Sequence, residues 1–253
     1  MQITRRELMA SAPRLSVGML TADLLRLGDE LAQLDDAGIE IVHVDVMDGV
    51  FCPAMTVGPP VVKAIPDRFV KDVHLMVDEP LEKVQAFVDA GAGIVTIHVE
   101  STRDPLGVLR SLAGTGVVRG VALSPATPLA AVDPLLDELE LVLILAVVPG
   151  VRGQSFISGT EQRVEDARAL VGPEIVLAVD GGITKENVGR VASLGVDLIV
   201  TGSAVFDGVS PQENARFMLE AARSARPSLA GPPSTSAGNG PPLLTGAGHY
   251  EEG

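Results

Sequence analysis

The chain has 253 residues, of which 46% are hydrophobic and 3% aromatic, and it carries a formal net charge of −14 and one cysteine. The acidic composition argues against nucleic-acid binding, the lone cysteine excludes an internal disulfide, and no run approaches the ~18 apolar residues of a membrane span. We therefore expect a cytoplasmic protein with an aliphatic core whose partners are neither nucleic acids nor membranes.

Three segments of the chain differ in composition. Residues 1–14 predict a polar N-terminal arm, residues 15–225 a single domain, and residues 226–253 a C-terminal tail. The tail is rich in Pro, Gly and Ser and has no periodicity, so we expect it to be disordered.

Short runs rich in Val, Ile and Leu alternate with amphipathic helical patterns along the domain. The predicted strands are Ser16–Leu20, Glu40–Val46, Asp72–Val77, Ile94–His98, Val117–Leu123, Leu141–Val147, Ile175–Val179 and Leu198–Thr201. The predicted helices are Ala22–Ala37, Pro59–Ile65, Pro80–Ala90, Pro105–Ala113, the shorter Pro128–Asp137, Thr160–Val171, Thr184–Leu194 and Pro211–Arg223. Eight such units predict parallel strands with right-handed crossovers, and eight strands close a barrel.

We therefore predict an α/β fold, a (β/α)8 TIM barrel. The alternative is an open doubly wound sheet, which usually has fewer strands. That fold would also require a glycine fingerprint after its first strand, and none is present here.

The second predicted strand has one polar face. A period of two places three valines on one side and His43, Asp45 and Met47 on the other. An imidazole, a carboxylate and a thioether make a poor apolar core, so this face is explained if it lines a ligand or metal site. A half-buried edge strand with a solvated face would explain this run equally well.

Two further strands favour the metal site. The third strand presents His74, with Asp72 and Met76 in the same phase, and the seventh ends at Asp180. In an eight-stranded barrel these strand ends meet at one mouth. Two imidazoles and two carboxylates suit one divalent cation such as Zn, Fe(II), Mn or Co.

Glycines follow three successive strands of the same mouth and predict an anion site. They lie in the segments Gly150-Val151-Arg152-Gly153, Gly181-Gly182 and Gly202-Ser203. Glycines let backbone N–H groups approach phosphate oxygens closely, and the loops after strands seven and eight are the usual phosphate pocket of such barrels. In a chain this acidic, phosphate affinity must come from such local groups or from a single arginine.

The segments HVDVMDG, GPPVVKAI, DVHLMV, PATPL, PGVRGQSFI, VDGGI and TGSAVF occur in this order between about Ser16 and Phe206. In sequence and spacing they resemble the ribulose-phosphate 3-epimerase family, whose fold is a ribulose-phosphate-binding barrel. The resemblance implies an isomerase of the pentose phosphate pathway that interconverts ribulose 5-phosphate and xylulose 5-phosphate. It implies that His43, Asp45, His74 and Asp180 bind the metal, that Asp45 and Asp180 are the acid/base pair, and that the glycine segments bind phosphate.

The required chemistry agrees with this assignment. Inverting a carbon next to a ketone needs one group that removes a proton on one face and another that returns a proton on the other. The intermediate is an enediolate, whose charge a divalent ion stabilises. Met47 and Met76 would add dry, polarizable walls to the substrate pocket, although core packing is the alternative for each.

The sequence departs from the family pattern at the mouth. A family serine on the first strand is missing, with Gly18 at its position, and Arg152 is gained in the phosphate loop. Other positions that differ are Ala54, Ser124, Leu145 and Val148. We expect retained epimerase chemistry, with a substrate preference that these changes alter. Arg152 either pairs with a phosphate or carboxylate or is an ordinary solvated loop residue.

Several alternatives stay open on the sequence. One is an epimerase for another ketose phosphate such as a hexulose 6-phosphate, and another is a non-catalytic sugar-phosphate-binding barrel. A decarboxylase of the orotidine- or ketogulonate-phosphate type would need a lysine where His74 stands. A tryptophan-pathway phosphate isomerase would not explain two histidines facing two carboxylates.

Two weaker expectations concern the residues around the mouth. His98 and Glu100 end the fourth strand there, and His98 either supports the metal site or is a plain structural histidine. Cys52 is expected to serve packing. The expected partner is a small sugar phosphate, and the aliphatic composition and the resemblance favour a homo-oligomer.

Overall fold

The computed structural model describes residues 1–151 and 153–225 and consists of a closed barrel of parallel strands in sequence order. The strands are β1 (Arg14–Gly18), β2 (Ile41–Met47), β3 (Val70–Met76), β4 (Ile94–His98), β5 (Val118–Leu123), β6 (Leu141–Leu145), β7 (Val176–Asp180) and β8 (Leu198–Thr201). β1 pairs with both β2 and β8, which closes the ring. The predicted TIM barrel is confirmed, and the open doubly wound sheet is excluded.

Helices connect the strands on the outside of the barrel, after a first helix that precedes β1. They are α1 (Arg5–Ala10), α2 (Leu27–Asp36), α3 (Pro59–Ala64), α4 (Val84–Asp89), α5 (Pro105–Ser111), α6 (Thr160–Val171), α7 (Val188–Ser193) and α8 (Pro211–Ala225). α5 begins with ordinary capping chemistry: Pro105 stands at its first position and Asp104 is the cap, which accepts the Gly107 N–H at 2.8 Å.

Two apolar clusters stabilise the barrel, one on each side of the sheet. The outer cluster contains Val42, Val44 and Val46 of β2, which pack under the helices. The inner cluster fills the barrel with side chains such as Ile41 and Ile94. The alternation of strand residues therefore assigns the three valines of β2 to the outer layer and His43, Asp45 and Met47 to the inside.

The register between strands brings the polar residues together. His43 is paired with Asp72 across β2 and β3, and Asp45 is paired with His74. On the other side of the barrel, Asp180 at the end of β7 is paired with Leu145 of β6. Because all strands are parallel, these residues lie at the C-terminal end of the barrel, where the loops gather.

The structure differs from the sequence expectation at the N-terminus. The predicted polar arm contains α1, which Thr4 and Glu7 cap reciprocally. Ile3 and Leu8 are buried and belong to the inner cluster. The arm is therefore part of the core at the N-terminal end of the barrel.

The predicted helix Pro128–Asp137 is instead a 3-10 helix, Leu129–Leu135, which connects β5 and β6. The remaining differences are shifts of element ends. β1 begins at Arg14 and ends at Gly18, so the chain turns two residues before Leu20. The helices expected from Ala22 and Pro80 each begin with a 3-10 turn, and α7 begins at Val188 because Thr184 and Asn187 form a hydrogen-bonded turn before it. Such ends depend on local turns that hydrophobic periodicity does not specify.

Two predictions, on Arg152 and on the tail at 226–253, lie outside the described residues. A search of the described helices for an apolar membrane-spanning stretch finds none.

Candidate active site and metal centre

Four side chains from three strands meet at the C-terminal end of the barrel. His43, Asp45, His74 and Asp180 each offer one ligand atom, and these atoms all lie within 4.8 Å of one another. The strand ends of β2, β3 and β7 bring together the residues that the sequence predicts as metal ligands. The group can hold a metal ion.

Hydrogen bonds on the side away from the cluster fix the orientation of the His43 ring. Its Nδ1 lies 2.8 Å from Asp72 Oδ2 and its Nε2 lies 3.1 Å from Asp45 Oδ1. The Ser16 hydroxyl donates to the same Asp72 oxygen at 2.8 Å. His43, Asp72 and Ser16 are all buried. The Asp72 carboxylate therefore holds the ring so that Nε2 points toward the cluster.

His74 is fixed differently. Its Nδ1 lies 2.9 Å from Asp45 Oδ1, while its Nε2 lies 3.0 Å from His98 Nε2. His98 Nδ1 in turn lies 2.9 Å from Glu100 Oε2. The other oxygen of Glu100 accepts the Ser124 N–H at 2.8 Å. A hydrogen-bonded series therefore runs from Asp45 through both imidazoles to the loop after β5.

The protein's own groups shift the pKa values of the two carboxyls in opposite directions. Burial would raise the pKa of Asp45, but the adjacent His43 and His74 outweigh it and hold that pKa well below its usual value. Burial raises the pKa of Asp180 to about 6, and the negative charge of Asp45 adds to this shift. Burial would lower the pKa of His43, but Asp72 and Asp45 together raise it well above the ordinary value.

The donor set fits a divalent cation. Two imidazole nitrogens and two carboxylate oxygens at mutual ligand distance are the donors that Zn and similar first-row ions accept. The two carboxylates repel each other and are desolvated in this site, as the raised pKa of Asp180 indicates, and a central positive charge would relieve both effects. The described residues thus fit the metal that the sequence predicts.

A cavity of about 190 Å³ opens beside the four ligand residues. Its lining includes the predicted site residues Gly18, Asp45, Met47, His74, Met76, Gly150, Val151, Gly153, Asp180, Gly181, Gly182, Gly202 and Ser203. His43 lies behind this wall and is 1% exposed. Among the residues that the structure describes, which do not include Arg152, it therefore brings the predicted metal and phosphate residues to one cavity.

Backbone conformation and close packing explain why glycine occurs in the loop after β7. Gly181 and Gly182 have φ of +107° and +64°, which L side chains rarely adopt. A Cβ on Gly182 would lie 2.3 Å from the backbone nitrogen of Phe156, so no side chain fits there. Gly181 and Gly182 therefore contribute only backbone to the cavity lining.

Gly18 has room for a small side chain, because an added Cβ would make only ordinary van der Waals contacts. A Cβ at Gly18 would meet nothing closer than 3.6 Å, the Cα of Gly202, and φ at Gly18 is an ordinary −69°. The cavity wall is also apolar where Leu145 and Val148 stand. Ala54 is not part of the lining, and Ser124 serves Glu100 through its backbone. The departures at Gly18 and Val148 therefore affect the cavity directly.

Sequence reasoning missed some residues of the site. Asp72 was recognised only as sharing the phase of His74, and Ser16 was not singled out, yet both fix His43. A polar residue facing inward on each of these strands was the available signal. Thr21 and Val147 also line the cavity, and their position just beyond a strand end could have indicated it. Cys52 is buried, as expected for a packing role, and a Cβ on Gly150 would collide with it.

Comparisons with known sequences agree with these observations. The model of the ribulose-phosphate 3 epimerase family matches residues 14–206. The chain is 39% identical over 196 residues to the ribulose-phosphate 3-epimerase of Escherichia coli (strain K12), covering 75% of this chain and 87% of that protein. It is 40% identical over 198 residues to the chloroplastic ribulose-5-phosphate-3-epimerase of Arabidopsis thaliana, covering 76% and 70% respectively.

A comparison with solved structures supports the barrel. The KGPDC of Streptococcus mutans superposes with a TM-score of 0.63 at 13% sequence identity, covering 84% of this chain and 98% of that one. At this identity the likeness shows the fold alone.

Proposed function

The chain belongs to the ribulose-phosphate 3-epimerase family, and from this membership we propose that it interconverts D-ribulose 5-phosphate and D-xylulose 5-phosphate by inversion at C3. One observation carries the proposal: Asp45 and Asp180, from strands β2 and β7, meet two imidazoles at a cavity edged by glycine loops. We assign Asp45 and Asp180 as the two acid/base residues, and these two with His43 and His74 as the metal ligands.

Two carboxyls in different electrostatic environments suit such an inversion. The pKa of Asp45 is held low, so this group is ionised and able to take a proton. In the metal-free protein the pKa of Asp180 is raised to about 6, which is nearer to neutrality than that of an ordinary carboxyl and suits a group that takes up and gives back a proton. Environments that push two pKa values apart in this way are typical of acid/base pairs. In the reverse direction the two carboxyls exchange roles.

The C3 proton of the substrate is acidic because the neighbouring C2 is a ketone. In the proposed reaction Asp45 removes this proton on one face, leaving a planar enediolate, and Asp180 delivers a proton to the other face. A divalent cation, when bound, supplies positive charge that stabilises the oxygen anions of this intermediate. Met47 and Met76 cover the cavity wall and limit water near C3.

The identity of the cation is part of the proposal. Two imidazoles and two carboxylates accept Zn, Fe(II), Mn or Co, and these four remain our candidates. Elemental analysis of protein purified without added metal, followed by reloading of chelator-treated protein with each ion, distinguishes among them.

We propose that the glycine loops bind the substrate phosphate. The backbone N–H groups near Gly150, Gly153, Gly182 and Gly202, with the Ser203 hydroxyl, are the candidate donors. Val151 and Arg152 lie in the first of these loops, and a charge-assisted contact from Arg152 to the phosphate is included in the proposal.

A coupled assay with ribulose 5-phosphate tests the function directly. We expect turnover that chelation removes and that an added divalent ion restores. We also expect deuterium from solvent D₂O at C3 of the product, because the returned proton comes from a carboxyl that exchanges with water. Binding of ribulose 5-phosphate without any turnover in metal-loaded protein would instead support a non-catalytic sugar-phosphate-binding barrel.

The preferred ketose phosphate is a second question. Gly18 lines the cavity without a side chain, which supports the proposal that a longer substrate such as a hexulose 6-phosphate is also accepted. Kinetics with both substrates decide between them: ordinary efficiency on the pentulose with none on the hexulose would remove this alternative.

We also propose a homo-oligomer in the cytoplasm. Leu25 is 97% exposed and Met55 is 80% exposed, which are unusual fractions for large apolar side chains and are consistent with a covered surface. Light scattering on the purified full chain measures the assembly state, and a monomer at micromolar concentration would contradict the oligomer.

A further inference from the structure

We propose that His98, held by Glu100, is a positioning residue that fixes the tautomer of His74, so that the Nδ1 lone pair of His74 faces the metal site. This inference rests on the proposed metal centre and deepens it. It assigns a role to a buried imidazole and its partly exposed carboxylate partner, neither of which lines the cavity.

The two proposed histidine ligands direct different nitrogens at the centre. His43 approaches Asp45 with Nε2, whereas His74 approaches it with Nδ1. A neutral imidazole binds a cation only through the nitrogen that carries no proton. The proton must therefore lie on Nδ1 in His43 and on Nε2 in His74.

The Asp72 carboxylate meets this requirement for His43 directly. The Nδ1 of His43 lies 2.8 Å from Asp72 Oδ2. Because a carboxylate only accepts hydrogen bonds, this Nδ1 carries the proton. The Nε2 of His43 is then free of a proton. This is the usual arrangement of carboxylate, histidine and metal.

His74 has no carboxylate behind it. The group facing its Nε2, at 3.0 Å, is the Nε2 of His98, and an imidazole nitrogen can either donate or accept. His98 accepts the proton of His74 only if its own proton lies on Nδ1. The Glu100 Oε2 atom, 2.9 Å from that Nδ1, enforces this form.

Glu100 is itself constrained to act as an acceptor. Its Oε1 accepts hydrogen bonds from the Ser124 backbone N–H and the Thr127 hydroxyl, while its Oε2 contacts His98 alone among the described residues. His98 is fully buried, with Phe51 packed against its ring at a centroid distance of 4.8 Å. The ring therefore cannot turn over to reverse its hydrogen bonds without breaking this packing.

A matched pair of variants separates this role from simple packing. In His98→Gln the amide extends to the position of Nε2 and can still accept the His74 proton. In His98→Asn the amide reaches only the position of Nδ1 and leaves His74 without an acceptor. The Ser101→Ala control removes a buried hydrogen bond to the His98 carbonyl and touches no ring nitrogen.

The first readout is zinc affinity, measured by competition with a chromophoric chelator on metal-stripped full-length protein. We expect His98→Asn to lose about 10- to 100-fold in affinity, the range usual for loss of a ligand's outer hydrogen bond. His98→Gln and Ser101→Ala should bind zinc nearly as wild type does. Equal affinity in the Asn and Gln variants would overturn the proposal.

The second readout is ¹⁵N NMR of the imidazoles in the zinc-loaded protein. We expect the proton of His74 on Nε2 and the protons of His43 and His98 on Nδ1. In His98→Asn the signal of His74 Nε2–H should exchange faster with solvent or disappear. A His74 proton on Nδ1 in the wild type would overturn the inference regardless of how the variants fold.

These outcomes also separate the inference from the function on which it rests. Suppose that the wild-type protein epimerises ribulose 5-phosphate and binds zinc, and that His98→Asn binds zinc with the same affinity. This result would contradict only the role proposed for His98. A wild-type protein that binds no divalent ion would remove both the metal centre and the positioning role.

Discussion

The two ends of the barrel interior are built by the same strands but have opposite chemistry. At the N-terminal end the interior is apolar, where Ile3 and Leu8 of the arm join Ile41 and Ile94. At the C-terminal end the inward positions hold imidazoles and carboxylates. The strand alternation is the same at both ends, so only the residue type at inward positions decides whether a layer stabilises the fold or performs chemistry.

The difference also has an energetic side. Burying the apolar side chains at the N-terminal end of the barrel is favourable, at about 25 cal/mol per Å² of apolar surface removed from water. Bringing Asp45 and Asp180 together is unfavourable, as the raised pKa of Asp180 indicates. Substitutions at the two ends should therefore separate stability from activity.

The largest expected effect lies at the polar end. Asp45→Asn and Asp180→Asn should each lower kcat by about 10³-fold or more, because an amide cannot carry a proton to or from C3. Steady-state kinetics with ribulose 5-phosphate measures this loss. Asp48→Asn is a matched control, since the Asp48 carboxylate binds backbone N–H groups and Lys83 instead of the four-residue cluster.

Isotope exchange sharpens this prediction. Each variant retains one of the two carboxyls. It should therefore still exchange the C3 proton of one epimer with deuterium from D₂O, without inverting that carbon. Loss of exchange from both epimers in both variants would contradict the assignment of one acid/base residue to each face. Near wild-type turnover in either variant would contradict the two-base mechanism itself.

At the apolar end the expected effect is on stability. Leu8→Ala should lower the free energy of unfolding by about 2–5 kcal/mol, because Leu8 is fully buried in the inner cluster. We expect kcat/KM to remain unchanged in the folded protein. Chemical denaturation and kinetics on the same preparation test both statements.

Val209→Ala is the control for this substitution, because Val209 is 84% exposed and should change stability by no more than about 0.5 kcal/mol. A Leu8→Ala protein that keeps its stability would mean that the arm contributes little to the core. A reduced kcat/KM at full folding would mean that the two ends are coupled.

A smaller effect is expected for the stability of chelator-treated protein as a function of pH. The pKa of Asp180 rises from an ordinary 3.8 to about 6 on folding, so the fold prefers the protonated acid. Its ionisation therefore destabilises the folded protein progressively as pH rises through this window. Asp180→Asn, which is always neutral, should match wild type in Tm near pH 4 and exceed it at pH 7.5.

Thermal denaturation in the presence of chelator measures this difference. A Tm advantage of the variant that is constant from pH 4 to 7.5 would contradict the shifted pKa. An advantage that grows with pH would confirm that the polar end costs stability.

The smallest expected effect concerns the cavity wall. Gly18→Ser should leave stability within about 0.5 kcal/mol of wild type, because the added Cβ meets only ordinary contacts. By filling space, it should lower kcat/KM for a hexulose 6-phosphate more than for ribulose 5-phosphate. An equal effect on both substrates would show that Gly18 does not determine substrate length.

Much of this arrangement could be predicted from the sequence. The alternating runs predicted the eight strands, and the inward phase of His43, Asp45 and His74 predicted a shared mouth, because closure of a parallel barrel places strand ends together. The order and spacing of the segments supplied the family.

Other features could not be predicted, because they depend on register and packing between distant segments. The hydrogen bond from Ser16 to Asp72 requires the stagger of β1 against β3, which periodicity within one strand does not reveal. The docking of α1 rests on Ile3, Leu8 and the partly buried Met9 in a charged segment. This pattern is too weak to distinguish a segment that closes the barrel from a solvated arm.

The closure of the ring between its first and last strands has a consequence for synthesis. The shorter path from Asp180 to His43 around the barrel passes through β8 and β1, which pair directly. A nascent chain that has left the ribosome through β7 therefore carries all four ligand side chains but cannot yet assemble them. Capture of the cation should occur late, once translation has delivered β8 and the sheet has joined end to end.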